Sequence, residues 1–230
     1  MSRILNRLVA LEAEIAYQLP PEPGDVEYRY HKGSIPFLLS APHGAVHIRN
    51  GEPKFEDEYT AAFARFVAEE TGAHVLYAHR KSTTDPNADP SAPYKGSLKH
   101  IVETARIALV LDIHGAAARR PFGLAIGTMR GHSCVGYRNL ILESLRQSGF
   151  SEDAAGLSRL DVDRTFAAAG SEAHETITRY VWQRLGVQAV QLELNAHLRI
   201  VARKPDASST DLFRGYPDKI LKTVDALLHL

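Results

Sequence analysis

Leu109-Val110-Leu111-Asp112-Ile113-His114-Gly115 decides how the chain is read. An apolar run rich in branched residues ends in Asp, His and Gly, the pattern of a buried strand whose carboxyl end opens into a site. Ile35-Pro36-Phe37-Leu38-Leu39-Ser40 is built the same way and breaks into Ala41-Pro42-His43-Gly44. Each strand delivers a histidine followed by a glycine, which lets the backbone turn tightly beside whatever the imidazole holds. A third apolar stretch, Val187 to Leu194, carries Glu193 near its end. In an open α/β sheet ligands lie outside the carboxyl ends of the strands, so His43, His114 and Glu193 can converge although the sequence separates them widely.

Outward from these strands, residues 2–18 place Ile4, Leu5, Leu8, Leu11 and Ile15 at helical spacing, and Pro20, Pro21 and Pro23 stop the helix. Strands are expected at 26–31 and 73–78, with a helix over 55–70 between them, closed by Thr71-Gly72. Arg80 to Tyr94 contains three prolines and reads as a long loop, a length that in a compact domain usually signals function. Helices follow at 97–106, 137–147, 171–185 and 212–228, a strand at 122–128, and an irregular stretch with one short strand at 153–165. Strands alternating with helices predict an α/β three-layer sandwich, a mixed, mostly parallel sheet between helices. No repeat or linker divides the chain, so residues 1–230 are expected to form one domain, with 1–22 as an N-terminal helical extension on its outside.

Composition narrows the partners. Lys plus Arg and Asp plus Glu each number 27, so no basic field argues for nucleic acid and a small molecule is favoured. One cysteine, Cys134, makes a disulfide within the chain impossible and points to a reducing compartment. Arg3, Arg7, Glu12 and Glu14 interrupt the first 19 residues where a signal peptide would be apolar, and no apolar run approaches the ~20 residues of a membrane span. The expectation is a cytoplasmic protein with neither membrane nor nucleic-acid partner; a homo-oligomer is left open.

A catalytic zinc wants three protein ligands and an open position. His43 and His114 are two, and the third is expected from Asp57 or Glu58; the helix face made by Tyr59, Phe63, Phe66 and Val67 leaves Glu58 nearer the buried side and favours it. Asp112, two residues before His114, points to the same side of the strand and suits a residue orienting that ligand from behind. Glu193, a carboxylate embedded in an apolar strand, needs a partner or a raised pKa. Both suit a general base beside a metal, the alternative being an ion pair with an arginine such as Arg199. Arg80, Arg199 and Arg203 flank the mouth, where an arginine can bind a carboxylate with two parallel hydrogen bonds. Asp85-Pro86-Asn87 is a turn signal first and, through Asn87, a substrate contact second.

Taken in order, Ser40-Ala41-Pro42-His43-Gly44, Glu56-Asp57-Glu58-Tyr59-Thr60, Asp85-Pro86-Asn87, Asp112-Ile113-His114-Gly115 and Gln191-Leu192-Glu193-Leu194-Asn195 span about residues 34–200. This set resembles the N-formylglutamate amidohydrolase family. The resemblance implies the fold shared with zinc carboxypeptidases and aspartoacylase, one zinc ion, and hydrolysis of an amide beside a carboxylate. It matches His43 and His114 to zinc ligands, the acidic pair to the third, and Glu193 to the catalytic glutamate. Two departures stand out: Pro-His-Gly-Gly is here Pro-His-Gly-Ala, and Asp-x-Asn-Arg ends here in Asn87-Ala88, without its arginine. The expected substrate is therefore a related small N-acyl amino acid, contacted by Arg80, Asn87 and Arg199. The rivals are a zinc carboxypeptidase or peptidoglycan amidase, whose peptide needs an open groove, and a metal-binding module without turnover.

Overall fold

The apolar runs form a seven-stranded sheet in the computed structural model, which describes residues 2–230. Its strands are β1 (Tyr28–His31), β2 (Phe37–Ala41), β5 (His74–Ala78), β6 (Leu109–Ala116), β7 (Leu124–Gly127), β8 (Leu160–Val162) and β9 (Gln188–Asn195); β3 (His47–Arg49) and β4 (Glu52–Lys54) make a separate hairpin that the sequence pattern does not announce. The order is β1-β5-β2-β6-β9-β7-β8. Four of the six neighbouring pairs are parallel; β1 against β5 and β7 against β9 are antiparallel. The mixed, mostly parallel sheet is therefore as expected, and strands buried on both faces explain why they read as continuous apolar runs.

Alternation sorts each strand's side chains between two layers. Leu39, Leu111 and Ile113, with Val190 and Leu192, pack into a core shared with α1 (Arg3–Ala13), α2 (Thr60–Thr71), α4 (Arg138–Gln147) and α7 (Pro217–Leu228). Leu38, Val110 and Ala189, from the first halves of their strands, pack on the opposite face against α3 (Pro93–Ala105) and α5 (Ile177–Leu185). Beyond them on that second face the residues turn polar: Ser40 on β2, Asp112 and His114 on β6, Gln191 and Glu193 on β9. The sandwich thus opens a polar face at the carboxyl ends of its three central strands.

Three helices begin later than the periodicity suggests, each for a local reason. Helix α5 starts at Ile177 because Thr176 caps it, its hydroxyl accepting the N–H of Arg179. Helix α7 starts at Pro217, whose fixed φ suits a first helical position. Helix α2 starts at Thr60 because Tyr59 is left-handed, with φ 67°. Among the described residues no helix is long and apolar enough to cross a membrane.

Candidate metal centre

The sheet register assembles the polar face. Pairing of β6 with β9 sets His114 beside Glu193 and Asp112 beside Gln191, and pairing of β2 with β6 sets Ser40 beside Asp112. His43, just past β2, points Nδ1 at Nδ1 of His114, 3.2 Å away. One carboxylate oxygen of Asp57 lies 3.5 Å from the first ring nitrogen and 3.6 Å from the second. These three donor atoms fall within 4.8 Å of one another, close enough to hold a single cation.

Each imidazole is fixed from behind. His43 Nε2 donates to Asp85 Oδ1 at 2.9 Å, and His114 Nε2 donates to Asp112 Oδ2 at 2.8 Å. Both carboxylates are buried and held in turn. Asp112 accepts the Ser40 hydroxyl at 2.9 Å; Asp85 accepts the Asn87 N–H at 2.9 Å and the Arg49 guanidinium. A carboxylate only accepts, so the proton of each neutral ring sits on Nε2 and the lone pairs of both Nδ1 atoms face one another across the gap. Two facing lone pairs beside a carboxylate repel unless a cation, a metal ion or a proton, stands between them. Burial disfavours charge on both rings, yet the carboxylates around them prevail: Asp57 and Asp85 raise His43, and Asp112 and Asp57 raise His114 well above the ordinary range. Burial would lift Asp57 and Asp85, but their imidazole partners hold both far below the usual carboxylate range.

Glu193 stands in the same cavity, almost fully buried, and accepts a hydrogen bond from Gln191 Nε2 at 2.8 Å. Burial pushes its carboxyl up to about 7, against the lowering pull of His114. The ion pair with Arg199 is not formed: that guanidinium donates to Leu194 O and Glu58 O and packs against Gly115, where any side chain would collide with it.

The carboxylate beside the histidines is Asp57, not Glu58. Glu58 is buried as expected, but against Arg203, whose Nε and Nη2 lie 2.9 and 2.8 Å from it. Counting a helix face backwards from Phe63 fails here because the left-handed Tyr59 interrupts the helix before residue 60. That conformation costs an aromatic residue about 1–2 kcal/mol, so the surrounding structure must hold it.

The cavity in front of these groups has a volume of about 570 Å³. Of the three expected substrate contacts only Asn87 lines it, and its side-chain oxygen already accepts the Ile177 N–H at 2.7 Å. Arg80 lies elsewhere, donating to Pro20 O near Glu22, and Arg199 is committed to backbone. The arginines that do reach the cavity are Arg49 and Arg120. Arg120 stacks over Phe166 at 5.1 Å and, among the described residues, makes no ion pair. Both follow a histidine-bearing strand end, Arg120 at the close of Gly115-Ala116-Ala117-Ala118-Arg119-Arg120, and that position was the available signal. The 80–94 loop borders the site through Asp85 and Asn87. It is tied to the opposite wall by buried Lys95, which donates to Asp89 O at 2.9 Å and to Glu175 O.

No protein-family model matches this sequence, and no curated protein does. Solved structures do. An N-formylglutamate amidohydrolase from Ralstonia eutropha JMP134 superposes with a TM-score of 0.58 at 14% identity, over 88% of this chain and 95% of that one. A gene product of Agrobacterium tumefaciens gives 0.54 at 14%, over 92% and 95%. The apo cell shape determinant protein of Helicobacter pylori gives 0.51 at 14%, over 89% of this chain and 53% of that one. At such identities what is shared is the path of the chain, and along nearly its whole length this chain takes the fold of the N-formylglutamate amidohydrolase structure.

Proposed function

We propose that the chain is a zinc-dependent hydrolase that cleaves the amide bond of a small N-acyl amino acid. The observation that carries this reading is the pair of imidazoles whose Nδ1 atoms face each other at 3.2 Å beside Asp57, each with its Nε2 tied to a buried carboxylate. Two nitrogens and one oxygen, braced from behind, fit a catalytic zinc with an open position. His43, Asp57 and His114 would hold it, and Asp85 and Asp112 would keep the two rings in the metal-binding tautomer. When bound, zinc supplies a Lewis acid that polarises the scissile carbonyl and acidifies water.

Glu193 takes the proton of the attacking water and passes it to the leaving nitrogen. Its burial suits both transfers, because a carboxyl poised near neutrality accepts and returns a proton at similar cost. Gln191 holds one Glu193 oxygen, which leaves the other for the proton. Arg120, which lines the same cavity as Arg49, receives the substrate carboxylate. Arg120 is the better placed because Asp85 already neutralises Arg49. The cavity volume accommodates an acylated amino acid. A non-catalytic metal module would have no use for a buried glutamate at the strand end.

Purification without added metal, elemental analysis, and a screen of N-formyl and longer N-acyl amino acids test the reading. About one zinc per chain is expected from a single three-ligand site, with turnover lost on chelation and restored by zinc. Parental metal content in His43→Ala and His114→Ala would refute it.

A further inference from the structure

Helix α1 reaches the back of the metal centre through a single side chain. Glu12, on its last turn, is 1% exposed, although a lone glutamate on an amphipathic helix ordinarily faces water. Its Oε1 accepts the backbone N–H of Tyr59 at 2.6 Å and the hydroxyl of Tyr17. Tyr59 is the left-handed residue that caps the start of α2, two positions after Asp57. Three consecutive side chains or backbone groups are thus gripped from different directions: Asp57 faces the histidines, Glu58 faces Arg203, and the Tyr59 N–H faces Glu12. On the far side the Tyr59 hydroxyl donates to Ala202 O at 2.7 Å, and at the near end the Asp57 N–H donates to His43 O at 2.8 Å.

As the residue that precedes the first turn of α2, Tyr59 has no carbonyl within the helix for its N–H to meet, and a buried N–H without an acceptor is costly. The acceptor here is a carboxylate brought in from 47 residues earlier in the chain. We propose that Glu12 is a positioning residue of the metal centre, its carboxylate oxygen holding the Tyr59 N–H and through it the turn that aims Asp57 between His43 and His114. The inference rests on the reading of Asp57 as a metal ligand. Without the acceptor the buried Tyr59 N–H is unpaired, the turn shifts to find it another partner, and Asp57 moves off the two rings.

The experiment is zinc affinity of the full chain, measured by competition with a chromophoric chelator, for the parent and four variants. Glu12→Met, which keeps volume and removes the acceptor, should weaken zinc by roughly 10- to 100-fold, the effect of losing a partner that orients a ligand. Glu12→Gln keeps an oxygen facing Tyr59 and should stay near the parent. Leu8→Ala loosens the same helix but leaves the acceptor of the Tyr59 N–H in place, so it should lower the melting temperature and leave the affinity alone. Asp57→Asn tests the underlying assignment. Parental affinity in Glu12→Met while Asp57→Asn binds weakly overturns the positioning role alone, whereas parental affinity in Asp57→Asn overturns the ligand assignment and the inference with it. Equal weakening in Glu12→Met and Leu8→Ala, or Glu12→Gln as weak as Glu12→Met, overturns it too. If Glu12→Met does not fold, Tyr17→Phe removes one of the two groups fixing the carboxylate: weaker zinc binding supports the role, and unchanged binding overturns it.

Discussion

Replacing Glu193 by glutamine should stabilise the metal-free protein at alkaline pH while abolishing its chemistry. In the folded chain burial raises the Glu193 carboxyl from 4.5 to about 7. Between those values the folded state binds a proton that the unfolded state has lost. The contribution is thus fully present below about pH 4.5 and disappears as pH rises through about 7. Above that, the parent carries an ionised, desolvated carboxylate whose cost is on the order of 3 kcal/mol. Glutamine keeps the shape, still accepts from Gln191, and never ionises. Metal-free Glu193→Gln should therefore melt roughly 5–10 °C above the parent at pH 8, with the gap closing towards pH 4.5. A structural ion pair would give the opposite sign, since removing one partner of a buried pair costs roughly 3–5 kcal/mol. In the zinc-loaded protein kcat should fall by ~100- to ~10,000-fold with metal content unchanged. Thermal melts at several pH values and zinc analysis suffice. A variant less stable than the parent at pH 8, or one shifted equally at every pH, would refute the account of Glu193 as a buried, unpaired carboxyl.

Glu58→Gln should retain zinc but lose part of the roughly 3–5 kcal/mol that a broken buried pair costs, because Arg203 keeps Asp211 as a second partner; zinc loss with unchanged stability would restore Glu58 as the ligand. Arg120→Met should raise KM for carboxylate-bearing substrates more than it lowers kcat, whereas Arg80→Met should change neither; steady-state kinetics on substrates with and without the carboxylate decide it. Asp112→Asn should weaken zinc by about 10- to 100-fold without removing a ligand, which a chelator titration measures. Apparent zinc affinity should also fall on acidification, because Asp57, Asp85 and Asp112 outweigh burial and raise both imidazoles, so protons compete for their nitrogens.

What the sequence determined by itself was local and periodic. Apolar runs along 35–40, 109–115 and 187–194 identify the three central strands. Because each turns polar at its carboxyl end, His43, His114, Asp112 and Glu193 are legible without any knowledge of what packs on them. The order of short motifs was enough to indicate a fold that the solved structures share. Tertiary structure decided everything that depends on a contact between distant segments. Asp57 rather than Glu58 faces the histidines because Tyr59 is left-handed, and Tyr59 is held so by Glu12 and by Ala202, neither of them near it in sequence. Asp85 backs His43 rather than only forming a turn because the 80–94 loop folds over the end of β2. Arg49 and Arg120 reach the cavity while Arg80 and Arg199 do not, because a long cationic side chain goes where its partners are. Arg80 is held by Pro20 O and Arg199 by Glu58 O, backbone carbonyls contributed by segments distant in sequence.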